Sequence, residues 1–108
     1  MEKNAKVVII GGGVVGCSIL YHLSKFGLKD CILLERNELT SGSSWHAAGN
    51  VHVISNDPNI SRMMAYTIGL YKEIEKESGH STGFKPSGGF YLASNETWAD
   101  YLKRERSK

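Results

Sequence analysis

The sequence is poor in the features that mark most specialised protein classes. It has two cysteines in 108 residues. That is too few for a disulfide framework, and such usage suits a reducing compartment. Cys17 falls in a predicted helix and Cys31 in a predicted strand, so both are expected as free, buried, structural thiols. Charge of either sign is not in surplus: 13 basic and 11 acidic residues leave a formal +2. This balance gives no case for nucleic acid or a membrane surface as partner. The one basic run, KRERSK at the end, reads as a solvated helix end. No apolar run approaches the roughly 18 to 20 residues that a membrane-spanning helix needs. The opening residues, MEKNA, form neither an apolar signal segment nor an Arg-rich transit segment. The expected location is therefore the cytoplasm, with the mitochondrial matrix as the alternative. Internal repeats and low-complexity tracts are absent.

What is present begins almost at once. After a polar lead-in over residues 1–5, Lys6 to Ile10 read as a buried parallel strand dominated by β-branched residues. The run GGGVVG follows directly, with Gly11, Gly13 and Gly16 at the G-x-G-x-x-G positions. Val14 to Phe26 read as a helix with Val15, Ile19, Leu20 and Leu23 on one apolar side, stopped by Gly27. Cys31 to Glu35 read as the second strand. A strand, a glycine turn and a helix in this order mark a Rossmann-type unit that binds an adenine dinucleotide. Gly11 allows the sharp exit from the strand, Gly13 lets a pyrophosphate approach the backbone, and Gly16 lets the helix pack close to the sheet. Amides around Val14 and Val15 then face the phosphates at the positive end of the helix dipole.

Glu35 stands 19 residues beyond Gly16, the spacing expected of the acid that takes hydrogen bonds from a ribose. An acid here argues against a phosphorylated ribose, because like charges would meet. The fingerprint does not separate NAD from FAD, and an NAD-dependent dehydrogenase stays open at this point.

Arg36 to Asn59 form a long polar stretch of the kind that is usually functional. Within it lies SSWHAAG, Ser43 to Gly49. Ser43 and Ser44 offer hydroxyls, Trp45 a broad apolar ring and His46 a nucleophilic imidazole. Ala47, Ala48 and Gly49 leave room for a flat ligand. Ser44 is expected to cap a brief helix over this run, and Val51 to Ile54 to form a short strand or extended segment. The clearest later helix carries Ile60, Met63, Met64, Thr67, Ile68, Tyr71 and Ile74 at helical spacing. It is capped by Asn59 or Asp57 and ended by Gly79. Phe84 to Lys85 and Gly89 to Ser94 are expected as short strands around a Pro86-Ser87-Gly88 turn. Asn95 is expected to cap a last helix, Glu96 to about Arg106.

GGGVVG, then LLERNELTSGSSWHAAG, with the later GLYKEIEKESG and PSGGFYLAS, resembles the FAD domain of the dimethylglycine dehydrogenase and sarcosine dehydrogenase family, within the D-amino-acid-oxidase-like flavoproteins. The resemblance implies an α/β fold: a partial Rossmann-like FAD-binding domain, a parallel sheet with crossover helices. Residues 1–108 are then expected as the N-terminal part of an FAD-binding oxidoreductase domain, because a full dinucleotide sheet generally needs more chain. The rest of that domain, a substrate domain and the family's folate-binding region are expected outside these residues.

The resemblance also implies the chemistry. A hydride would leave the N-methyl carbon of dimethylglycine or sarcosine for the flavin, and water or tetrahydrofolate would take the one-carbon unit. The electron acceptor would be an electron-transfer flavoprotein or oxygen. Val14 and Val15 would meet the pyrophosphate, Glu35 and Arg36 the adenosine end. Gly42, Ser43, Ser44, Trp45, His46, Ala47, Ala48, Gly49 and Asn50 would lie on the flavin side. His46 would be the residue joined covalently to FAD. The resemblance assigns no catalytic base and no metal. A non-catalytic flavin-fold module that regulates another enzyme is the further alternative.

Overall fold

A computed structural model of the chain describes residues 4–107. Residues 1–3 of the polar lead-in and Lys108 of the basic run lie outside the described residues. The chain divides into two units, residues 1–49 and 50–108.

In the first unit, β1 (Val7–Ile10) is followed by α1 (Val14–Lys25) and β2 (Cys31–Leu34). The strands pair in parallel, with Val7 opposite Cys31 and Ile10 opposite Leu34. Both strands are one residue shorter than their sequences predict. Lys6 N–H donates to the Asp30 carbonyl at 3.0 Å just ahead of the ladder. Glu35 turns out of β2 to bond the glycine turn, as shown below. Side chains alternate across the sheet. Val7, Ile9, Cys31 and Leu33 face α1, and Ile9 is the one large apolar residue among those described that is buried. Val8, Ile10, Ile32 and Leu34 are exposed on the other face.

Gly16 is buried on the sheet side of α1, and Leu20 and Leu23 are half-buried. Val15 and Ile19, expected on the apolar side, are exposed here, because they border the open cleft described below. Gly27, with φ +84°, ends the helix as predicted, and Leu28 N–H returns to the Leu23 carbonyl at 3.0 Å. The thiols are free but only half-buried. Cys17 donates to the Gly12 carbonyl at 3.5 Å, and Cys31 to that of Leu28 at 3.6 Å. The helix predicted over SSWHAAG is a run of turns.

In the second unit, α2 (Pro58–Ser78) and α3 (Glu96–Arg106) are the regular elements among the described residues. Asp57, not Asn59, caps α2: its carboxylate accepts from the N–H groups of Asn59 at 2.7 Å and Ile60 at 3.4 Å. Gly79 closes the helix in the left-handed region. Met64, Thr67, Ile68, Tyr71 and Ile74 of the predicted stripe are half-buried, whereas Ile60 and Met63 are exposed. The Tyr71 ring packs against Phe84 at 5.6 Å. Glu75 ties down the chain beyond α2, accepting from Thr82 N–H at 2.8 Å and Thr82 Oγ1 at 2.9 Å. These bonds hold its carboxyl below the usual carboxylate range. Asn95 caps α3 through Trp98 N–H at 2.9 Å, as predicted. Residues 84–85 and 89–94 are not strands, and of the two alternatives for residues 51–54 the strand is not formed. A strand needs a partner ladder, and these segments find none among the described residues.

Candidate functional site

The chain leaves β1 through Gly11, whose φ of +108° is open to glycine and costly for other residues. Its N–H still reaches the Leu34 carbonyl at 2.8 Å, so the turn starts as a continuation of the ladder. A Cβ on Gly16 would overlap the Gly11 carbonyl oxygen. Hydrogen at this position is what lets the first turn of α1 rest against the strand exit. The first intrahelical bond is Cys17 N–H to the Gly13 carbonyl, 3.0 Å. Helix geometry therefore leaves the N–H groups of Val14, Val15 and Gly16 without an acceptor inside the helix, gathered at its positive end.

A cleft of about 650 Å³ opens at this point. Of the residues predicted from sequence, Gly11, Gly13, Val14, Val15, Gly16, Glu35, Arg36, Gly42, Ser43, Ser44 and Ala47 line it. Trp45, His46, Ala48 and Gly49 are not in its lining, and Asn50 belongs to the second unit. Ile9, Ile10, Ile19, Asn37, Thr40 and Ser41 line it without having been singled out. Thr40 and Ser41 extend the hydroxyl run of SSWHAAG towards the N-terminus, which is the signal that was available for them.

Glu35 acts first on the backbone. One carboxylate oxygen accepts Gly12 N–H at 2.7 Å and the other Asn37 N–H at 3.0 Å. The Gly12 bond, then that to Asn37, holds the carboxyl below its ordinary value, with Arg36 adding a smaller effect. A carboxylate offers about four acceptor positions, so both oxygens keep capacity for ribose hydroxyls. Gly12 was passed over in the fingerprint, where it is a variable position. Here it is buried, with its N–H on Glu35 and its carbonyl on Thr40 N–H at 2.8 Å. A Cβ there would come within 2.6 Å of Leu39 Cδ2. The third consecutive glycine was the clue.

Ser44 reaches across 30 residues. Its Oγ accepts Val14 N–H at 2.8 Å and does for α1 what Gly13, the residue at the cap position, cannot. His46 is exposed, with Nδ1 3.1 Å from the Gly42 carbonyl and its ring 4.6 Å from that of Trp45. A carbonyl only accepts, so in the neutral ring Nδ1 carries the proton and Nε2 keeps its lone pair. Among the described residues no cluster of His, Cys, Asp and Glu is suited to a metal.

This combination defines a dinucleotide-binding βαβ start. The sequence profile of the family described as FAD dependent oxidoreductase matches residues 6–108, and the chain belongs to that family. It is 42% identical over 107 residues to human mitochondrial dimethylglycine dehydrogenase, which covers 99% of this chain and 12% of that protein. Its identity to human mitochondrial sarcosine dehydrogenase is 41% over 105 residues, 96% of this chain and 11% of that protein. To the mouse mitochondrial pyruvate dehydrogenase phosphatase regulatory subunit it is 38% over 108 residues, 100% of this chain and 12% of that protein. The chain thus spans about an eighth of the length of the curated relatives it matches.

The residues present fit the adenosine diphosphate half of FAD. The glycine notch is kept open by a position that tolerates no Cβ, amides converge on it, and an acid stands at the ribose distance in sequence. The cleft volume lies within the ordinary range for a ligand site.

Proposed function

We propose that this chain is the cofactor-binding start of a flavoenzyme that oxidises an N-methylated glycine of the dimethylglycine or sarcosine type. The observation that carries the reading is the cleft itself. The glycine turn, Glu35 and the residues Ser43, Ser44 and Ala47 line one cavity at the start of α1, and the same stretch aligns with two amine dehydrogenases. FAD, when bound, supplies the hydride acceptor, while the protein supplies position and electrostatics. Val14, Val15 and Gly16 present N–H groups to the diphosphate, and Glu35 takes the ribose. Gly42 to Asn50 serve the flavin side. His46 is the anchor, with Nε2 as the nitrogen free to form a bond to the flavin ring system. Its role is attachment, not proton transfer, and the groups that handle the amine are placed outside this chain. Tetrahydrofolate as one-carbon acceptor and an electron-transfer flavoprotein or oxygen as electron acceptor belong to the same proposal. The relatives' names favour the mitochondrial matrix over the cytoplasm, and none of the described helices is long and apolar enough to cross a membrane.

The test is a denaturing gel of the whole protein. A fluorescent flavin band is expected at the protein's mass, and it should disappear in His46→Ala. A band that survives the substitution removes His46 as the anchor. Turnover of dimethylglycine or sarcosine with an artificial electron acceptor tests the substrate class.

One observation favours a second reading. A relative named as a regulatory subunit is 38% identical along the full chain. On that reading the domain binds flavin without turnover, and the amine assay stays silent across substrates while the absorbance spectrum is that of a flavoprotein. The family match favours flavin over the NAD-dependent alternative, and the same spectrum separates those two.

A further inference from the structure

The Ser44 bond to α1 has a consequence for how a diphosphate enters, and it rests on the dinucleotide reading above. Ser44 Oγ lies 2.8 Å from Val14 N, at the first helical amide, where an anion at a helix N-terminus accepts. A Cβ on Gly13 would stand 3.1 Å from the same oxygen, so the hydroxyl sits directly over the glycine turn. A second tie lies four residues earlier, where Thr40 N–H donates to the Gly12 carbonyl at 2.8 Å. Thr40 holds a φ of +64°, the one non-glycine residue among those described with positive φ. For a β-branched residue this is a costly conformation. Residues 39–47 therefore form a strap, strained at one tie and pinned at the other by a single exposed hydrogen bond.

We infer that the Ser44 hydroxyl stands in for a phosphate oxygen at the start of α1. It ties the strap to the start of α1 until a diphosphate takes over the Val14 amide. Loading then exchanges one acceptor for another, and the helix keeps its cap throughout. The strap is ordered by Ser44 before loading and by the ligand afterwards.

The test uses the whole protein produced under riboflavin depletion, with adenosine diphosphate as the probe and amide hydrogen exchange as the readout. In Ser44→Ala without the probe, exchange at Val14 and across residues 39–47 should rise about fivefold, the loss of one capping bond. Ser44→Thr, which restores the hydroxyl, should return it to the wild-type rate. Saturating adenosine diphosphate should erase the difference between Ser44→Ala and wild type. Equal exchange in the two proteins without the probe, with probe binding intact, overturns the strap and leaves the dinucleotide reading standing. A difference that persists at saturation also overturns it, since Ser44 would then be a plain structural cap. If the probe protects neither protein, the dinucleotide reading falls and the stand-in role falls with it.

Discussion

Glu35 accepts the Gly12 N–H at 2.7 Å, so the acid that closes β2 also fixes the turn leaving β1. The two ends of the βαβ start are thereby joined by a side chain as well as by the strand ladder. A residue expected to serve only the ligand holds the ligand's seat in shape.

This sets a pH dependence. The bonds from Gly12 and Asn37 lower the folded-state value of the Glu35 carboxyl relative to 4.5. A group depressed in this way contributes stability that is present above its unfolded value and lost as pH falls through the folded one. Glu75, lowered by Thr82, acts with the same sign. Stability from these two groups should be flat from neutral pH down to about 5 and decline below about 4.5. Urea midpoints of the whole protein across pH would show it. Glu35→Gln should lose part of the acid limb and weaken adenosine diphosphate binding about tenfold, as expected when a charge-assisted hydrogen bond is lost. An unchanged affinity would mean that Glu35 is a brace alone.

Gly16 and Gly69 should respond in opposite directions to the same substitution. On Gly16 a Cβ meets the Gly11 carbonyl oxygen, which is backbone and cannot swing away. Gly16→Ala should destabilise the protein by about 1–3 kcal/mol or more, the range for forced overpacking, and abolish flavin retention. Gly69 lies exposed within α2 with nothing near its would-be Cβ. Gly69→Ala should stabilise the helix by about 0.5–1 kcal/mol, the usual gain from removing a mid-helix glycine. Thermal unfolding of both variants checks the pair. Destabilisation by Gly69→Ala would show that another surface packs on that side of α2.

The sequence announced β1, α1 and β2 because their signals are local: β-branched runs, a helical period and glycine punctuation. The caps Asp57 and Asn95 were legible for the same reason, although Asp57 had to be separated from Asn59 by its hydrogen bonds. Ser44 shows where local rules stop. Capping rules look a few residues ahead, so it was assigned to a helix of its own. Its partner is Val14, 30 residues back, and closure across that distance leaves no mark in sequence. The segments 84–85 and 89–94 fail for the complementary reason. Their composition suits strands, but strand formation depends on a neighbour that sequence alone does not supply. Gly12 and Thr40 were missed because the fingerprint treats one as variable and a threonine gives no warning of positive φ.

Thr40 offers the last prediction. Its φ of +64° places a β-branched side chain where left-handed backbone costs roughly 1–2 kcal/mol. Asparagine tolerates that region far better than threonine. The tie to Gly12 runs through the Thr40 backbone N–H, so a side-chain change leaves it in place. Thr40→Asn should therefore raise stability by about 1 kcal/mol, read as a higher urea midpoint at unchanged slope. The direction is unusual, since most substitutions in a binding cleft are neutral or harmful to stability. Thr40→Val keeps the branched shape and the strain but removes the hydroxyl, and it should give no gain. If Thr40→Val stabilised the protein as much as Thr40→Asn, relief of backbone strain would not be the cause. The side-chain hydroxyl, not the backbone, would then be the source of the cost.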